Sequence, residues 1–169
     1  MIHLNDLVFV NADWGLTVGA FVTPPLSENV VFSYHDSAWA YVSDFPASLT
    51  PSCYLTGVAA PSTDQALAIG IEAAKIMIVG SSIFRFDEGD WTRNAYIKDA
   101  FFNAIRLESA TSGWIVGFNV AEDIGPDTGR VWRWLNGEVE VMNLPAVSLP
   151  YWVAWDLAIV SPTPADWRR

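Results

Sequence analysis

Short apolar runs separated by turn-forming residues dominate the first sixty residues. Residues 7–10, 16–22 and 29–34 are rich in Val, Phe and Leu, and stretches containing Asn, Asp, Gly and Pro interrupt them. Apolar runs bounded by turn signals are typical of β-strands. The pattern therefore predicts three strands at the start of the chain. Residues 38–45 fit either a fourth strand or one helical turn.

Two longer segments in the middle of the chain predict helices. Residues from about 63 to 79 are apolar nearly all round, Ser62 and Gln65 have the spacing of a capping box, and Gly80 stands where a helix would end. In residues from about 91 to 107, apolar side chains recur at helical spacing with charged side chains between them. We expect the first helix to be buried on most sides and the second to be amphipathic.

The segment 130–141, RVWRWLNGEVEV, predicts a β-hairpin. Asn-Gly at positions 136 and 137 is the strongest short-range signal for a two-residue type I′ turn. This turn fixes which residues face one another: Trp132 and Val141, Arg133 and Glu140, Trp134 and Val139, Leu135 and Glu138. The two tryptophans then share one face, which we expect to be buried.

Together these patterns predict an α+β fold. We expect a single domain over residues 1–160, in which a mostly antiparallel sheet of about six to eight strands packs against the two central helices. Further strands are predicted at residues 113–120 and 149–160, and residues 161–169 form a C-terminal tail.

A weak internal sequence similarity, here named the internal similarity, links residues 14–22, WGLTVGAFV, with residues 112–120, SGWIVGFNV. The matching positions are Gly15 and Gly113, Val18 and Val116, Gly19 and Gly117, and Val22 and Val120. A duplicated strand would give this pattern, but chance among apolar strands gives it too. Chance is the preferred interpretation at this level.

The composition restricts the possible functions. Apolar residues make up 51% of the 169 residues and charged residues only 17%, against roughly 25% charged residues in an average soluble domain. The net charge of −10 arises because Lys and Arg are scarce, and residues 1–74 contain neither. Nucleic-acid binding is disfavoured because no basic stripe is present. The charge-poor first third is the expected place for an interface between copies of the chain.

The search for chemistry-bearing motifs identifies no catalytic residue, metal site or cofactor site. One pair, His35 with Cys53, could form a thiol–imidazole nucleophile, but a buried structural cysteine is the preferred interpretation. The acidic groups at residues 87–90 and 122–127 lack the ligand spacing of a calcium loop. One cysteine, no signal peptide and no apolar run of membrane-spanning length predict a cytoplasmic protein that neither spans nor binds a membrane.

Three functions fit these observations. The first is a non-catalytic acidic protein-binding domain, such as an inhibitor or an immunity or anti-defence protein, whose partner is another protein, possibly a basic one. The second is a structural or self-assembling subunit of the virion or tail type, and the third is a small-ligand-binding protein or a carboxylate-based hydrolase. The candidate partner-binding residues are Arg133, Glu138, Glu140, Glu122, Asp123 and Asp127.

Overall fold

The computed structural model describes residues 1–23, 26–50, 52–74, 77–119 and 128–142. These ranges contain twelve β-strands and no helix. The strands are β1 (Ile2–Asn11), β2 (Trp14–Thr23), β3 (Leu26–His35), β4 (Ala38–Tyr41), β5 (Ser52–Ser62), β6 (Gln65–Ala74), β7 (Met77–Asp87), β8 (Asp90–Lys98), β9 (Ala100–Ser109), β10 (Ser112–Asn119), β11 (Thr128–Leu135) and β12 (Glu138–Val141).

The prediction of an α+β fold with two central helices is wrong, because the described residues are all-β. The first predicted helix, about 63–79, is β6 and the beginning of β7. An apolar segment with no polar side is also typical of a strand that is covered on both faces. In β6, Leu67 and Ile69 lie in one apolar core, whereas Ala66 and Ala68 lie in another.

The residues that suggest the ends of this helix have other roles. The Ser62 hydroxyl donates a hydrogen bond to the Asp64 carboxylate within the turn between β5 and β6. Gly80 lies inside β7, opposite Lys98 of β8. A Cβ atom at Gly80 would lie 2.7 Å from the ring of Tyr96, so this glycine allows close packing within a sheet.

The second predicted helix, about 91–107, is β8, a tight turn and β9. Asp99 in the turn has a φ of 57°, a left-handed conformation that Asp tolerates better than most residues. Ile97 and Ile105 do pack in the same core, but they reach it from two strands. Apolar side chains that alternate along two strands, with a turn residue between the strands, therefore have a spacing in the sequence that resembles the spacing in a helix.

The strand predictions at residues 7–10, 16–22, 29–34 and 113–119 are confirmed by β1, β2, β3 and β10. Residues 38–41 form a strand, β4, rather than a helical turn. The predicted hairpin is confirmed residue by residue, with Trp132 opposite Val141 and Trp134 opposite Val139. The predicted strand 149–160 and the tail 161–169 lie outside the described residues.

The twelve strands form three antiparallel four-stranded meanders, here named repeat 1 (β1–β4), repeat 2 (β5–β8) and repeat 3 (β9–β12). Repeats 1 and 2 count as one eight-stranded sheet only because a single parallel bridge joins Ser27 of β3 to Ser52 of β5. Repeat 3 is a separate four-stranded sheet.

The three repeats share the same irregularity between their first two strands. Each has a glycine in its second strand and, opposite it, an extra residue that forms a β-bulge in the first strand. The bulge residue follows the partner of the glycine in every case. These sets are Leu4, Asn5 and Gly19 in repeat 1; Leu55, Thr56 and Gly70 in repeat 2; and Phe102, Asn103 and Gly117 in repeat 3.

The turn between the third and fourth strands is also repeated. Both central residues of this turn have positive φ in all three repeats, as a type I′ hairpin requires. These turn pairs are Asp36 and Ser37, Glu88 and Gly89, and Asn136 and Gly137. The internal similarity between residues 14–22 and 112–120 therefore reflects a structural repeat and did not arise by chance. Gly19 and Gly117 occupy equivalent positions in the strand pairing of their repeats. Val120 lies outside the described residues.

The repeats stack face to face. The two faces of each repeat are here named the A face and the B face, and their residues are given at the end of this paragraph. The A face of repeat 2 packs on the B face of repeat 1, and the A face of repeat 3 packs on the B face of repeat 2. The A faces are Leu4, Leu7, Phe9, Thr17, Phe32, Tyr34 and Trp39 in repeat 1; Leu55, Val58, Ala60, Ala68, Phe84, Phe86 and Trp91 in repeat 2; and Phe102, Ile105, Leu107, Ile115, Trp132, Trp134 and Val139 in repeat 3. The B faces are Val8, Val10, Trp14, Leu16, Val18 and Val31 in repeat 1, and Ala59, Leu67, Ile69 and Ile83 in repeat 2.

The bulge residues connect neighbouring repeats along their first strands. The Asn5 side-chain amide donates to the carbonyl of Leu55 at 2.7 Å, and the Thr56 hydroxyl donates to the carbonyl of Phe102 at 2.7 Å. Leu55 and Phe102 are equivalent positions, so the same bond is made twice. Four-stranded sheets stacked through their faces with adjacent first strands are arranged like the blades of a β-propeller.

Candidate functional site

The A face of repeat 1 is open, although the same face of the other two repeats is buried. Leu7 is 52% exposed and Trp39 is 45% exposed. Their counterparts in repeat 2, Val58 and Trp91, are 2% and 7% exposed, because repeat 1 covers them. The counterpart of Leu7 in repeat 3, Ile105, is fully buried. Within the described residues, repeat 1 thus exposes apolar side chains at positions that are buried in the other repeats.

All four strands of repeat 1 position this open face. A groove of about 320 Å³ runs across it. Its lining residues are Leu4 and Leu7 from β1, Thr17 from β2, Phe32 from β3 and Trp39 from β4. The Thr17 hydroxyl donates to the backbone carbonyl of Asp6 at 2.9 Å, so the one polar side chain of the groove already has a partner.

Three aromatic rings extend the groove. The ring centroid of Phe9 lies 5.4 Å from that of Tyr34 and 6.0 Å from that of Trp39, and the Tyr34 and Trp39 centroids are 5.2 Å apart. Edge-on and tilted pairs of this kind hold aromatic rings in fixed positions. Rigid aromatic side chains are the commonest binding hot spots in protein interfaces.

Repeat 1 contributes few charged residues, and its Asp6 is paired with Arg106 of repeat 3 at 3.7 Å. Residues 1–41 contain four acidic residues and neither Lys nor Arg, and no A-face residue of repeat 1 is charged. A contiguous exposed apolar surface marks an interaction site more often than a scattered set of apolar side chains does. This face lies in the charge-poor first third, where the sequence predicts an interface.

The sequence-predicted partner-binding residues lie elsewhere. Glu138 and Glu140 are exposed on β12, and Arg133 is half-buried on β11. Arg133 and Glu140 are opposite in the ladder, but they are absent from the ion pairs among the described residues. The Arg133 guanidinium instead lies 5.6 Å from the ring centroid of Trp114. A binding role for these side chains stays a prediction, and the other candidates, Glu122, Asp123 and Asp127, lie outside the described residues.

The predicted burial of the hairpin tryptophans is confirmed. Trp132 and Trp134 are each 1% exposed, and the Trp132 ring meets the Phe102 ring edge-on at 4.9 Å. These side chains belong to the core between repeats 2 and 3. They are therefore not available to stack on a ligand in the folded chain.

A second cavity, of about 500 Å³, lies between repeats 1 and 2 close to their hairpin turns. Trp14 and Trp91 form part of its wall, and His35 lies at its edge. The equivalent space between repeats 2 and 3 is only about 10 Å³. The carboxylates that line the larger cavity are Asp44, Asp64 and Glu88. Across the described ranges, no three His, Cys, Asp or Glu side chains are grouped so that they could hold a metal ion.

Cys53 is an inert structural residue. It is fully buried and free, and burial, reinforced by the nearby Glu72 carboxylate, raises the pKa of its thiol from 9.0 to about 12. A nucleophilic cysteine needs the opposite shift, toward the thiolate. His35 lies on the cavity between repeats 1 and 2, whose lining does not include Cys53.

We expect the Cys53 thiol to react with a disulfide reagent at least about 100-fold more slowly in native protein than in denatured protein at mildly alkaline pH. Because the thiol ionises in the unfolded chain near pH 9 but in the folded chain only near pH 12, stability should fall as the pH rises through this window. Absorbance from the released chromophore measures the rate, with Cys53→Ala as the blank. Equal rates in both states would contradict the assignment.

A buried carboxylate that the sequence analysis missed organises the centre of the molecule. Glu72 is fully buried on β6 and accepts hydrogen bonds from the hydroxyls of Thr50 and Ser82, both at 2.7 Å. The Arg93 guanidinium lies 3.3 Å from it. Arg93 also donates to the carbonyl of Ala47 at 2.7 Å, so this network fixes the connection between repeats 1 and 2.

No family model matches this chain, and none of the curated proteins matches it either. Within the described ranges, no helix has the length and apolar character needed to cross a membrane.

Proposed function

We propose that this protein is a non-catalytic protein-binding domain whose binding surface is the A face of repeat 1. The observation that carries the proposal is the contrast between this face and its two counterparts. Leu4 and Leu7 are 55% and 52% exposed in repeat 1, whereas the residues at the same positions are fully or almost fully buried in repeats 2 and 3.

The chemistry of the face supports a protein partner. Its groove is lined by aliphatic and aromatic side chains, and its aromatic rings fix one another in place. A small polar ligand would find few hydrogen-bonding groups there, because binding sites for such ligands need convergent polar groups. The surface of another β-sheet has the size and the apolar character to cover it.

The alternative of a ligand-binding protein or carboxylate-based hydrolase would use the cavity between repeats 1 and 2. The carboxylates at its edge do not converge on a metal site, and one of them, Asp64, already accepts a hydrogen bond from Ser62. The apolar face therefore gives the stronger basis for a function.

A free, buried Cys53 supports a reducing compartment such as the cytoplasm.

The test is a capture experiment with three immobilised proteins in extract from the source. Leu7→Arg places a charge in the centre of the open face, and Met77→Arg places the same charge at a position that is 69% exposed away from it. We expect proteins that bind the wild type and Met77→Arg to be lost from Leu7→Arg, because an unpaired charge in an apolar interface is costly. The same set of proteins on all three supports, or none on any, would contradict the proposal.

A further inference from the structure

An arginine lines one of the two spaces between repeats, and the equivalent position in the other space is a serine. Arg85 of β7 lies opposite Leu67, as Ser33 of β3 lies opposite Leu16. The space that Arg85 lines, between repeats 2 and 3, is closed to about 10 Å³. The space that Ser33 lines, between repeats 1 and 2, is the cavity of about 500 Å³. The larger cavity thus lacks a guanidinium that its counterpart has.

The chain itself shows how such a guanidinium is held. Nη2 of Arg85 lies 3.1 Å from a carboxylate oxygen of Asp87, two residues further along β7. In repeat 1 the position of Asp87 belongs to His35, which lies opposite Trp14 as Asp87 lies opposite Gln65. Repeat 1 therefore supplies neither partner of this ion pair to the cavity between repeats 1 and 2.

Three carboxylates, here named the rim, stand in loops around the cavity between repeats 1 and 2. Asp44 lies in the connection between β4 and β5, Asp64 in the β5–β6 turn and Glu88 in the β7–β8 turn. The Glu88 N–H donates to the Asp64 carbonyl at 3.0 Å, so these two turns lie side by side. The rim residues are exposed and form no ion pair with a described residue. His35 is the one basic side chain among the described lining residues, so negative charge is in excess.

Buried aromatic rings form part of the cavity wall. The Phe86 ring centroid lies 6.3 Å from that of Trp14 and 5.3 Å from that of Trp91. The two tryptophans are 5% and 7% exposed, and neither indole N–H donates to a described residue. Aromatic faces attract guanidinium groups, and an indole N–H that is buried usually finds an acceptor. The cavity therefore offers a surface for an organic cation and donors for carbonyl groups beside it.

We propose that the cavity between repeats 1 and 2 binds the arginine side chain of a basic polypeptide. The guanidinium binds among the rim carboxylates and the aromatic wall, as that of Arg85 binds beside Asp87, and peptide carbonyls accept from the indole N–H groups. Arginine is favoured over lysine because its planar guanidinium stacks on aromatic rings and binds carboxylates through two N–H groups. This site shares no lining residue with the groove on the A face of repeat 1, so it is independent of the proposed function.

Isothermal titration calorimetry with the full chain tests the inference. The probes are three tripeptides blocked at both ends, with arginine, lysine or citrulline between two glycines. Citrulline is the matched control, because an uncharged urea of the same shape replaces the guanidinium. We expect the arginine peptide to bind with a Kd below about 1 mM, the lysine peptide to bind at least about tenfold more weakly, and the citrulline peptide to give no binding heat.

Agmatine separates a polypeptide ligand from a small cation. It carries a guanidinium but no carbonyl group, so the indole N–H groups would gain no acceptor from it. We expect agmatine to bind more weakly than the arginine peptide. Tighter binding of agmatine would indicate a site for a small organic cation and would contradict the assignment to a polypeptide.

Variants of the chain locate the site. Asp64→Asn and Glu88→Gln each remove one rim charge and should weaken binding of the arginine peptide at least about threefold, with a larger loss when both are combined. Glu28→Gln is the control, because it removes the same charge from an exposed position that does not line the cavity, and it should leave the affinity unchanged. Ser33→Arg copies Arg85 and should abolish binding, because the chain's own guanidinium then competes for the cavity.

Circular dichroism and thermal unfolding establish that each variant is folded, and if Ser33→Arg is not, the combined rim variant decides. Four results would overturn the inference. They are an arginine peptide that gives no binding heat at millimolar concentration, a lysine or citrulline peptide that binds equally well, rim variants that bind like Glu28→Gln, and a folded Ser33→Arg protein that binds like the wild type.

Discussion

Replacing Glu72 with alanine is expected to lower the free energy of unfolding by about 3–5 kcal/mol, the usual cost of breaking a buried ion pair by removing one partner. The carboxylate is fully buried and accepts from Thr50, Ser82 and Arg93. Without it, two hydroxyls and a guanidinium lose their common acceptor. Ser82 is fully buried, and a buried donor that lacks an acceptor costs more than the missing bond alone.

Chemical denaturation followed by tryptophan fluorescence measures this effect. Glu28→Ala is the matched control, because Glu28 is an exposed glutamate in β3, and we expect it to change stability by less than about 0.5 kcal/mol. Glu72→Gln should fall between the two, since the amide oxygen still accepts hydrogen bonds but the charge opposite Arg93 is gone. A Glu72→Ala protein as stable as the wild type would show that the network does not hold the connection between repeats.

Replacing Gly19 or Gly117 with alanine is expected to cost about 3 kcal/mol or more in either case, because backbone atoms leave no room for a side chain. A Cβ atom at Gly19 would overlap the carbonyl oxygen of His3, and one at Gly117 would overlap that of Phe101. Both glycines face the bulge in the neighbouring strand. Relief of the overlap would require the first two strands of the repeat to separate.

Gly57→Ala is the control for these variants. Gly57 is also buried in a strand, but its nearest neighbours are two side-chain carbons of Ile69 at 3.2 Å, so a shift of a few tenths of an ångström would make room for a Cβ atom. We expect a change of at most about 1 kcal/mol, because the smaller conformational freedom of alanine in the unfolded chain offsets part of the crowding. Thermal unfolding compares the three proteins. Equal midpoints for Gly19→Ala and Gly57→Ala would show that the bulge tolerates a side chain.

The hairpin at residues 130–141 was predictable because its signal is local. Asn136 and Gly137 accept positive φ, and that property alone fixes the register of the two strands. The burial of Trp132 and Trp134 followed from the alternation of side chains along a strand. Nothing outside the segment was needed for either conclusion.

The class of residues 63–79 was not predictable from their pattern. A strand covered on both faces and a buried helix both read as a continuous apolar run, and Ala, Leu and Glu in this segment favour a helix by intrinsic propensity. The structure makes β6 a strand because repeats 1 and 3 cover its two faces. That covering depends on contacts with residues far away in the sequence.

The open face could be located only roughly from the sequence. The lack of Lys and Arg before residue 75 indicated an interface in the first third of the chain. Leu7 and Trp39 stand in that stretch, but their exposure became meaningful only beside the burial of Val58 and Trp91. That comparison requires the structural repeat. The repeat could not be identified from the sequence, because only a few glycine and valine positions match.

Face-to-face stacking also distributes stability unevenly along the chain. Repeat 2 is covered on its A face by repeat 1 and on its B face by repeat 3, whereas the A face of repeat 1 meets solvent. In arrays of this kind, each unit is stabilised mainly by its neighbours, and opening begins at the units that have the fewest. Repeat 1, which has one neighbouring repeat, is thus expected to open at a lower free-energy cost than repeat 2, which has two, and a partner bound to the A face of repeat 1 would raise that cost.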